Sequence, residues 1–305
     1  MYPDWPKSAA DLVPLPRCDG PKLKPFTFRR SQKIEFLEYI GEGSHAHVFK
    51  VRIQEKIYAL KLFRFVYDDD WTGPARRTND IQVMSAFYNY SEPFSCECRA
   101  YGRLQDAGHE GLAIRCFGYL LLDEEHERTM MDQFRDLELE FNRNMDDPGL
   151  ENMRSRFPGK DGRDPPIRGI VKEFGQCDED LTKRLAKTLL GDIIRLQELA
   201  IINMDVAHRQ VINGKLSDFS TAITIPHFLT SPELNPNLNS DQISAMEFET
   251  FQLSSKDYWS FDEMVIIWND ENDGKIAVHA FPGGNGCQIK YNETRRRGIE
   301  EAQTS

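Results

Sequence analysis

Residues 34–63 constrain this chain more than any other stretch. The segments IEFLEYI, HVFKVRI and KIYALKLF alternate apolar and polar residues and are rich in β-branched and aromatic types. A period of two in such residues predicts three successive half-buried strands. GEGS joins the first two, and a short charged turn joins the second and third. In the third segment, within Tyr58-Ala59-Leu60-Lys61, a lysine interrupts an apolar run. Burying an unpaired ammonium is costly, so Lys61 requires an anionic partner. Glu97 is the candidate, on a stretch from Ser91 to Ala107 in which Phe94, Cys98, Tyr101 and Leu104 recur at helical spacing. The plainer alternative has Lys61 snorkel out along the polar face of its strand.

Around this block the pattern changes. Residues 1–32 are rich in proline and charge without a sustained period, which predicts an extended or partly disordered arm. Residues 67–78 read as a turn-rich loop, and Ile81 to Tyr90 has helical spacing. LAIRCFGYLLL, over 112–122, predicts a buried strand or a bent pair, and IRGIVKEF, over 167–174, a further strand. Between them lies a charged insertion at about 124–166, read as a surface helix followed by a mobile Gly- and Pro-rich part. Leu185, Leu189, Ile193, Leu196 and Leu199 share one stripe, so a long core helix is expected over 181–202. Strands first and helices later predict an α+β architecture with a sheet-rich lobe and a helical lobe. The expected division is an arm over 1–32, an N-lobe over 33–174, a reduced C-lobe over 175–290 and a basic, polar tail over 291–305.

Composition narrows the function classes. The 305 residues suffice for a sizeable core, with 40% hydrophobic and 29% charged residues. No apolar run approaches the roughly 18 residues of a membrane span, and MYPDWPKSAADLVPLP lacks an apolar h-region, so neither membrane nor secretory signal is expected. Six scattered cysteines without a CxxC pair fit reduced thiols in an intracellular protein of nucleus or cytoplasm. Cys96 and Cys98 flank Glu97 and would point in different directions on a helix, so packing is expected there rather than a metal. A net charge of −11 argues against direct nucleic-acid binding. The run Arg295-Arg296-Arg297 reads as solvated surface, the alternatives being a targeting signal or an anionic contact.

Two further motifs bear on chemistry. Gly41-Glu42-Gly43-Ser44-His45-Ala46-His47-Val48 lies between two predicted strands, where glycines let a backbone turn tightly or approach phosphate oxygens. A hairpin would also use glycine for its turn alone. Downstream, Asp205 follows the apolar run LAIINM, Val211 to Leu216 predict a short hairpin around Asn213-Gly214, and Asp218-Phe219-Ser220 closes it. Two aspartates at opposite ends of one hairpin suit proton acceptance from a hydroxyl and magnesium binding. A helix cap at Asp205 and a turn residue at Asp218 are the structural alternatives.

Taken in this order, the motifs resemble the eukaryotic protein-kinase family from about Ile34 to Phe219. GEGSHAHV resembles the glycine-rich loop, which would place Gly41, Gly43 and Val48 over the nucleotide. YALK resembles V-A-I-K, with Ala59 against adenine and Lys61 on the phosphates. Glu97 resembles the ion-pair partner on the helix, and the end of IRGIVKEF, with Lys172 and Glu173, resembles the adenine-contacting hinge. Asp205 matches the aspartate of H-R-D-L-x-x-x-N and Asp218 that of D-F-G, which implies ATP and magnesium as cofactors, with Asp218 and Gln210 as metal residues. The departures are as specific. Ala46 replaces the third loop glycine, and Asn203-Met204 the His-Arg pair. Ala207 stands for a phosphate-steadying lysine, Gln210 for the metal-binding asparagine and Ser220 for the last glycine of D-F-G. This chemistry is mostly positioning and electrostatics, so these departures together argue against efficient phosphoryl transfer. Ser231-Pro232-Glu233 resembles A-P-E. Asp257-Tyr258-Trp259-Ser260-Phe261 resembles the start of the D-x-W-S-x-G helix, with Asp262 in place of glycine. The alternative at this end is a strand pair, MVIIW and KIAVHAF, around the turn NDENDG.

A closer resemblance rests on FLEYIGEGSHAHVFKV, KIYALKLF, SAFYNYSEPFSCECRAYGRLQDAG, LAIRCFGYLLLD and NMDVAHRQVINGKLSDFSTA. These runs are similar to a fungal group of kinase-like proteins related to a subunit of the kinetochore Sim-four complex, the fta-two type. That resemblance implies a bilobal kinase-like fold, a centromere-associated role and kinetochore subunits as protein partners. The expected function is a kinase-like or pseudokinase interaction module. The alternative is an active ATP- and magnesium-dependent phosphotransferase acting on protein or on a small molecule.

Overall fold

The computed structural model describes residues 2–28, 33–66, 86, 88–142, 152–177, 180–235 and 238–280. The loop expected at 67–78, most of the helix expected at 81–90, part of the insertion and the tail with Arg295, Arg296 and Arg297 lie outside them.

The alternating block forms β1 (Glu35–Glu42), β2 (Ala46–Ile53) and β3 (Lys56–Phe63), paired antiparallel in sequence order. Gln54 and Glu55 turn between β2 and β3 with positive φ of 50° and 64°, the backbone twist that a two-residue hairpin needs. α1 (Pro93–Ala107) follows, with Glu92 accepting from the Ser95 N–H at its start and Gly108 in the left-handed region at its end. β4 (Cys116–Leu121) and β5 (Arg168–Glu173) complete a five-stranded antiparallel sheet of order β1-β2-β3-β5-β4. The stretch 112–122, expected as a buried strand or a bent pair, thus holds one shorter strand, because Glu110–Leu112 makes a 3-10 turn first. In the insertion, α2 (Glu124–Gln133) packs Met130 against the sheet beside Leu139 and Phe141.

The helix expected over 181–202 is α3 (Lys183–Glu198), opened by Thr182, whose hydroxyl accepts from the Leu185 N–H. It stops because Ala200 turns left-handed at φ 59°, and Ile201–Ile202 leave as a two-residue strand, β6. β7 (Val211–Ile212) and β8 (Lys215–Leu216) form the expected hairpin, with Asn213 and Gly214 at φ 48° and 74°. β9 (Ile223–Thr224) returns to pair with β6.

The strand pair weighed at the C-terminal end does not form. MVIIW lies within α4 (Ser240–Glu271), and residues 275–280 form no strand. Phe261, Met264 and Val265 are buried with Trp268 packed beside them, a spacing of three and four that only a helix puts on one face.

The architecture is α+β. One apolar cluster lies where α1, α3, the β7–β8 hairpin and the C-terminal half of α4 meet; a second covers the opposite side of the sheet. Residues 2–28 form no long element, but they lie against the protein. Phe26 N–H donates to the Tyr119 carbonyl and Tyr119 N–H to that of Lys24, while Leu15, Leu23 and Phe26 are buried. No helix among the described residues is long and apolar enough to cross a membrane.

Candidate functional site

The site begins with Lys61. β3 is apolar on both sides at this point, so the lysine enters the protein rather than leaving it. Its Nζ lies 2.8 Å from Glu97 Oε2 and 2.7 Å from Asp218 Oδ1. Glu97 is fully buried on α1, and the snorkelling alternative for Lys61 is excluded. Burial alone would lower the Lys61 ammonium, but the Asp218 and Glu97 carboxylates outweigh it and raise it above the usual lysine range. Burial would likewise raise Asp218, yet the Lys61 and Lys172 cations hold its carboxyl well below the usual carboxylate range.

Lys172 adds a fourth charge. It lies on β5 opposite Ala59 of β3, and its side chain runs inward to Glu97 Oε1 and to the Ser217 carbonyl, the latter at 2.6 Å. The two carboxylates and two ammoniums therefore balance, with Glu97 shared between both lysines. Glu173, next on β5, is exposed. The sequence reading placed Lys172 at a hinge and gave it no carboxylate. The signal was there: a lysine inside IRGIVKEF raises the same burial argument as Lys61 inside KIYALKLF.

The β1–β2 turn closes tightly, with Gly43 N–H donating to the Ala46 carbonyl at 2.9 Å. It brings His45 Nδ1 to 3.0 Å from Ser220 Oγ, so the glycine-containing turn touches the Asp218-Phe219-Ser220 segment. Val48 pairs with Lys61 across β2 and β3. Behind Asp218, the Phe219 ring meets Tyr101 of α1 edge-on at 5.3 Å, and the Tyr101 hydroxyl donates to the Ser217 carbonyl.

Asp205 stands at the other end of the hairpin. Its Oδ2 accepts from Gln210 Nε2 at 2.7 Å and Arg209 Nη2 at 2.9 Å, and its side chain is 44% exposed. Gln210 Oε1 is buried without a hydrogen-bond partner. The segment before Asp205 is held from α4. The buried Asp257 carboxylate accepts the backbone N–H groups of Asn203 at 3.0 Å and Met204 at 2.7 Å, together with Gln197 Nε2. Met204 sits at φ 73°, a left-handed conformation uncommon for its type, which this carboxylate anchors. Burial raises the Asp257 carboxyl, with the three donors opposing.

α1 itself is fixed. Arg99 is fully buried and donates to the carbonyls of Asp19 at 2.5 Å, Thr224 at 3.0 Å and Pro226. Arg103 donates to Ile225 at 2.5 Å. The helix carrying Glu97 is thereby tied to the arm on one side and to the segment after Asp218 on the other. Sequence spacing placed Arg99 on α1 but gave no sign of these long-range carbonyl partners.

Cys96, Cys98 and Cys116 are buried in the core. Burial pushes the Cys116 thiol up to about 12 and raises those of Cys96 and Cys98 as well. No group of three metal-ligating His, Cys, Asp or Glu side chains forms among the described residues.

Comparison with curated proteins finds no match. The family model described as "Kinetochore Sim4 complex subunit FTA2" matches residues 12–223, more than half of the chain. The match starts in the arm that Arg99 grips and ends in β9, and it contains Lys61, Glu97, Lys172, Asp205 and Asp218. On that match, the chain belongs to the kinetochore Sim4 complex subunit FTA2 family.

Proposed function

We propose that this chain is a kinase-like interaction module of a kinetochore assembly, nuclear in location, in which the Lys61 cluster works chiefly as a structural keystone. The observation that carries this reading is the closed charge balance of Lys61, Lys172, Glu97 and Asp218. With Lys172 held on Glu97 and on the Ser217 carbonyl, each charge of the cluster faces an opposite charge within it, and the cluster joins sheet, α1 and hairpin. Family membership supplies the setting, since its description is that of a kinetochore complex subunit.

A bilobal, protein-kinase-like arrangement is part of this proposal. In it, β1–β5 with α1 form the sheet-rich lobe, and α3, β6–β9 and α4 a reduced helical one. The Lys61–Glu97 pair between β3 and α1 supports it. So do the hairpin between Asp205 and Asp218 and the hold of Asp257 on the backbone before Asp205. The test is affinity purification of the native chain and of Asp205→Asn. The expected result is the same set of kinetochore proteins with both. Loss of every partner in a folded Asp205→Asn chain would sink the reading.

A second reading, an active phosphotransferase, is favoured by the half-exposed Asp205 and by Lys61, Glu97 and Asp218 all standing in place. Residues here fit ATP with magnesium in one respect: the orphaned Gln210 Oε1 and the Asp218 carboxylate are hard oxygen donors, and magnesium needs few of these beside phosphate oxygens. Asp218 and Gln210 would hold the ion, Lys61 the phosphates, Gly41, Gly43, Val48 and Ala59 the nucleotide, and Asp205 would take the acceptor's hydroxyl proton. Bound magnesium would neutralise phosphate charge. Magnesium-dependent ATP turnover that disappears in Asp205→Asn would establish this reading over the first.

A further inference from the structure

α4 is buried most deeply toward its C-terminal end. Asp257, Phe261, Met264 and Val265 are buried, whereas Phe248 is 61% and Phe251 69% exposed. The N-terminal half, residues 240–256, extends about 24 Å at ~1.5 Å per residue. Ile243, Met246, Thr250 and Leu253 are half-buried on the side facing the protein. A different stripe runs along the other side: Ser244, Phe248 and Phe251 are exposed and Ser255 is half-buried, spaced four, three and four. That is the spacing of a helix–helix seam. Anchoring in the core pre-forms the helix, so association need not supply its nucleation.

We propose that this seam pairs antiparallel with the same seam of a second copy of the chain. The stripe is a palindrome. In an antiparallel pair centred between Phe248 and Phe251, each Phe248 lies opposite the partner copy's Phe251, and each Ser244 opposite a Ser255. Large residues fill the middle and small ones let the helices close at the ends. An isologous two-fold contact requires such self-complementarity. Charge selects the direction. Parallel pairing would set Asp241, one heptad before Phe248, against its own copy across the seam. Antiparallel pairing moves it to the end where the other helix carries Lys256, and like charges are separated. The seam lies beyond residues 12–223, the part matched by the family, and the proposal is independent of the function read for the Lys61 cluster.

The test is sedimentation of the full chain between about 1 and 100 μM, the span expected of a small interface. The native chain is expected to shift from monomer to dimer across that range. Phe248→Glu with Phe251→Glu is expected to stay monomeric with unchanged helical circular dichroism, since both rings face solvent in the single copy. Asp241→Lys is expected to weaken the dimer about tenfold, and adding Lys256→Glu to restore it. A native chain that is monomeric throughout, whether because a different protein or this chain's own tail covers the seam, overturns the proposal. So does a dimer that survives the double phenylalanine change, or one that Asp241→Lys leaves untouched.

Discussion

Lys172 changes what the buried cluster is. With Lys61 alone, Glu97 and Asp218 would leave a net negative site; with Lys172 the four groups cancel. Glu97→Gln removes the carboxylate that both lysines share, and is expected to destabilise the fold by about 3–5 kcal/mol, since it strands buried charge. Lys172→Met leaves Glu97 its Lys61 partner and is expected to cost less, about 1–3 kcal/mol. Urea midpoints of the two variants test that order. A second buried group governs the acid limb. His227 is neutral: its Nε2–H donates to the Tyr90 carbonyl and its Nδ1 accepts from the Leu229 N–H. Burial, with Arg99 nearby, pushes its imidazole down to about 3. A folded value below the unfolded one, near 6.5, means that the unfolded chain takes up the proton first. Its contribution is therefore complete above about pH 6.5 and is lost as pH falls toward 3. The native chain is expected to lose about 2 kcal/mol more than His227→Gln between about pH 6.5 and 5. Equal slopes for the two in urea titrations would contradict the assignment.

At the scale of elements, two glycines seat the arm. A Cβ at Gly102 of α1 would lie 2.5–2.7 Å from the Lys22 backbone, and one at Gly118 of β4 2.7 Å from Phe26 N. Neither neighbour is a flexible side-chain end, so the arm must move. Gly102→Ala and Gly118→Ala are each expected to cost about 1–3 kcal/mol and to open residues 2–28 to limited proteolysis before the rest of the chain. Cleavage no earlier than in the native protein would show that the arm accommodates the methyl. Arg99 makes the same contact polar: it gives its donors to Asp19 on the arm, to Thr224 at the end of β9 and to Pro226 just beyond it. α1 is thus tied at both sides, and Glu97 on it stands 2.8 Å from Lys61 Nζ.

For the molecule as a whole, the arm is part of the core. Leu15 and Leu23 are buried with residues of α1 and β4, and Phe26 with the sheet's other face. Burying such a side chain contributes about 1.5–3 kcal/mol. Deleting residues 1–28 is therefore expected to lower the thermal midpoint by several degrees in a single cooperative transition. Two separate transitions would mean that the arm stabilises only the sheet.

Much of this was legible in the sequence. Alternation gave β1, β2 and β3, Asn213-Gly214 gave the hairpin, and an ammonium in an apolar strand called for the carboxylate that Glu97 provides. These signals are local, or follow from the cost of one buried charge. Where chain segments far apart in sequence meet, the sequence was silent. A Pro- and charge-rich arm has no period, so nothing in it announced that its backbone would pair with Tyr119. MVIIW is equally apolar as strand or helix, and only the core beside α3 decided for the helix. The shared hold of Lys172 on Glu97, the Arg99 clamp and the grip of Asp257 on residues 203 and 204 all depend on partners brought together by tertiary packing. Residue type fixed which groups needed partners, and the three-dimensional fold alone decided which partners they met.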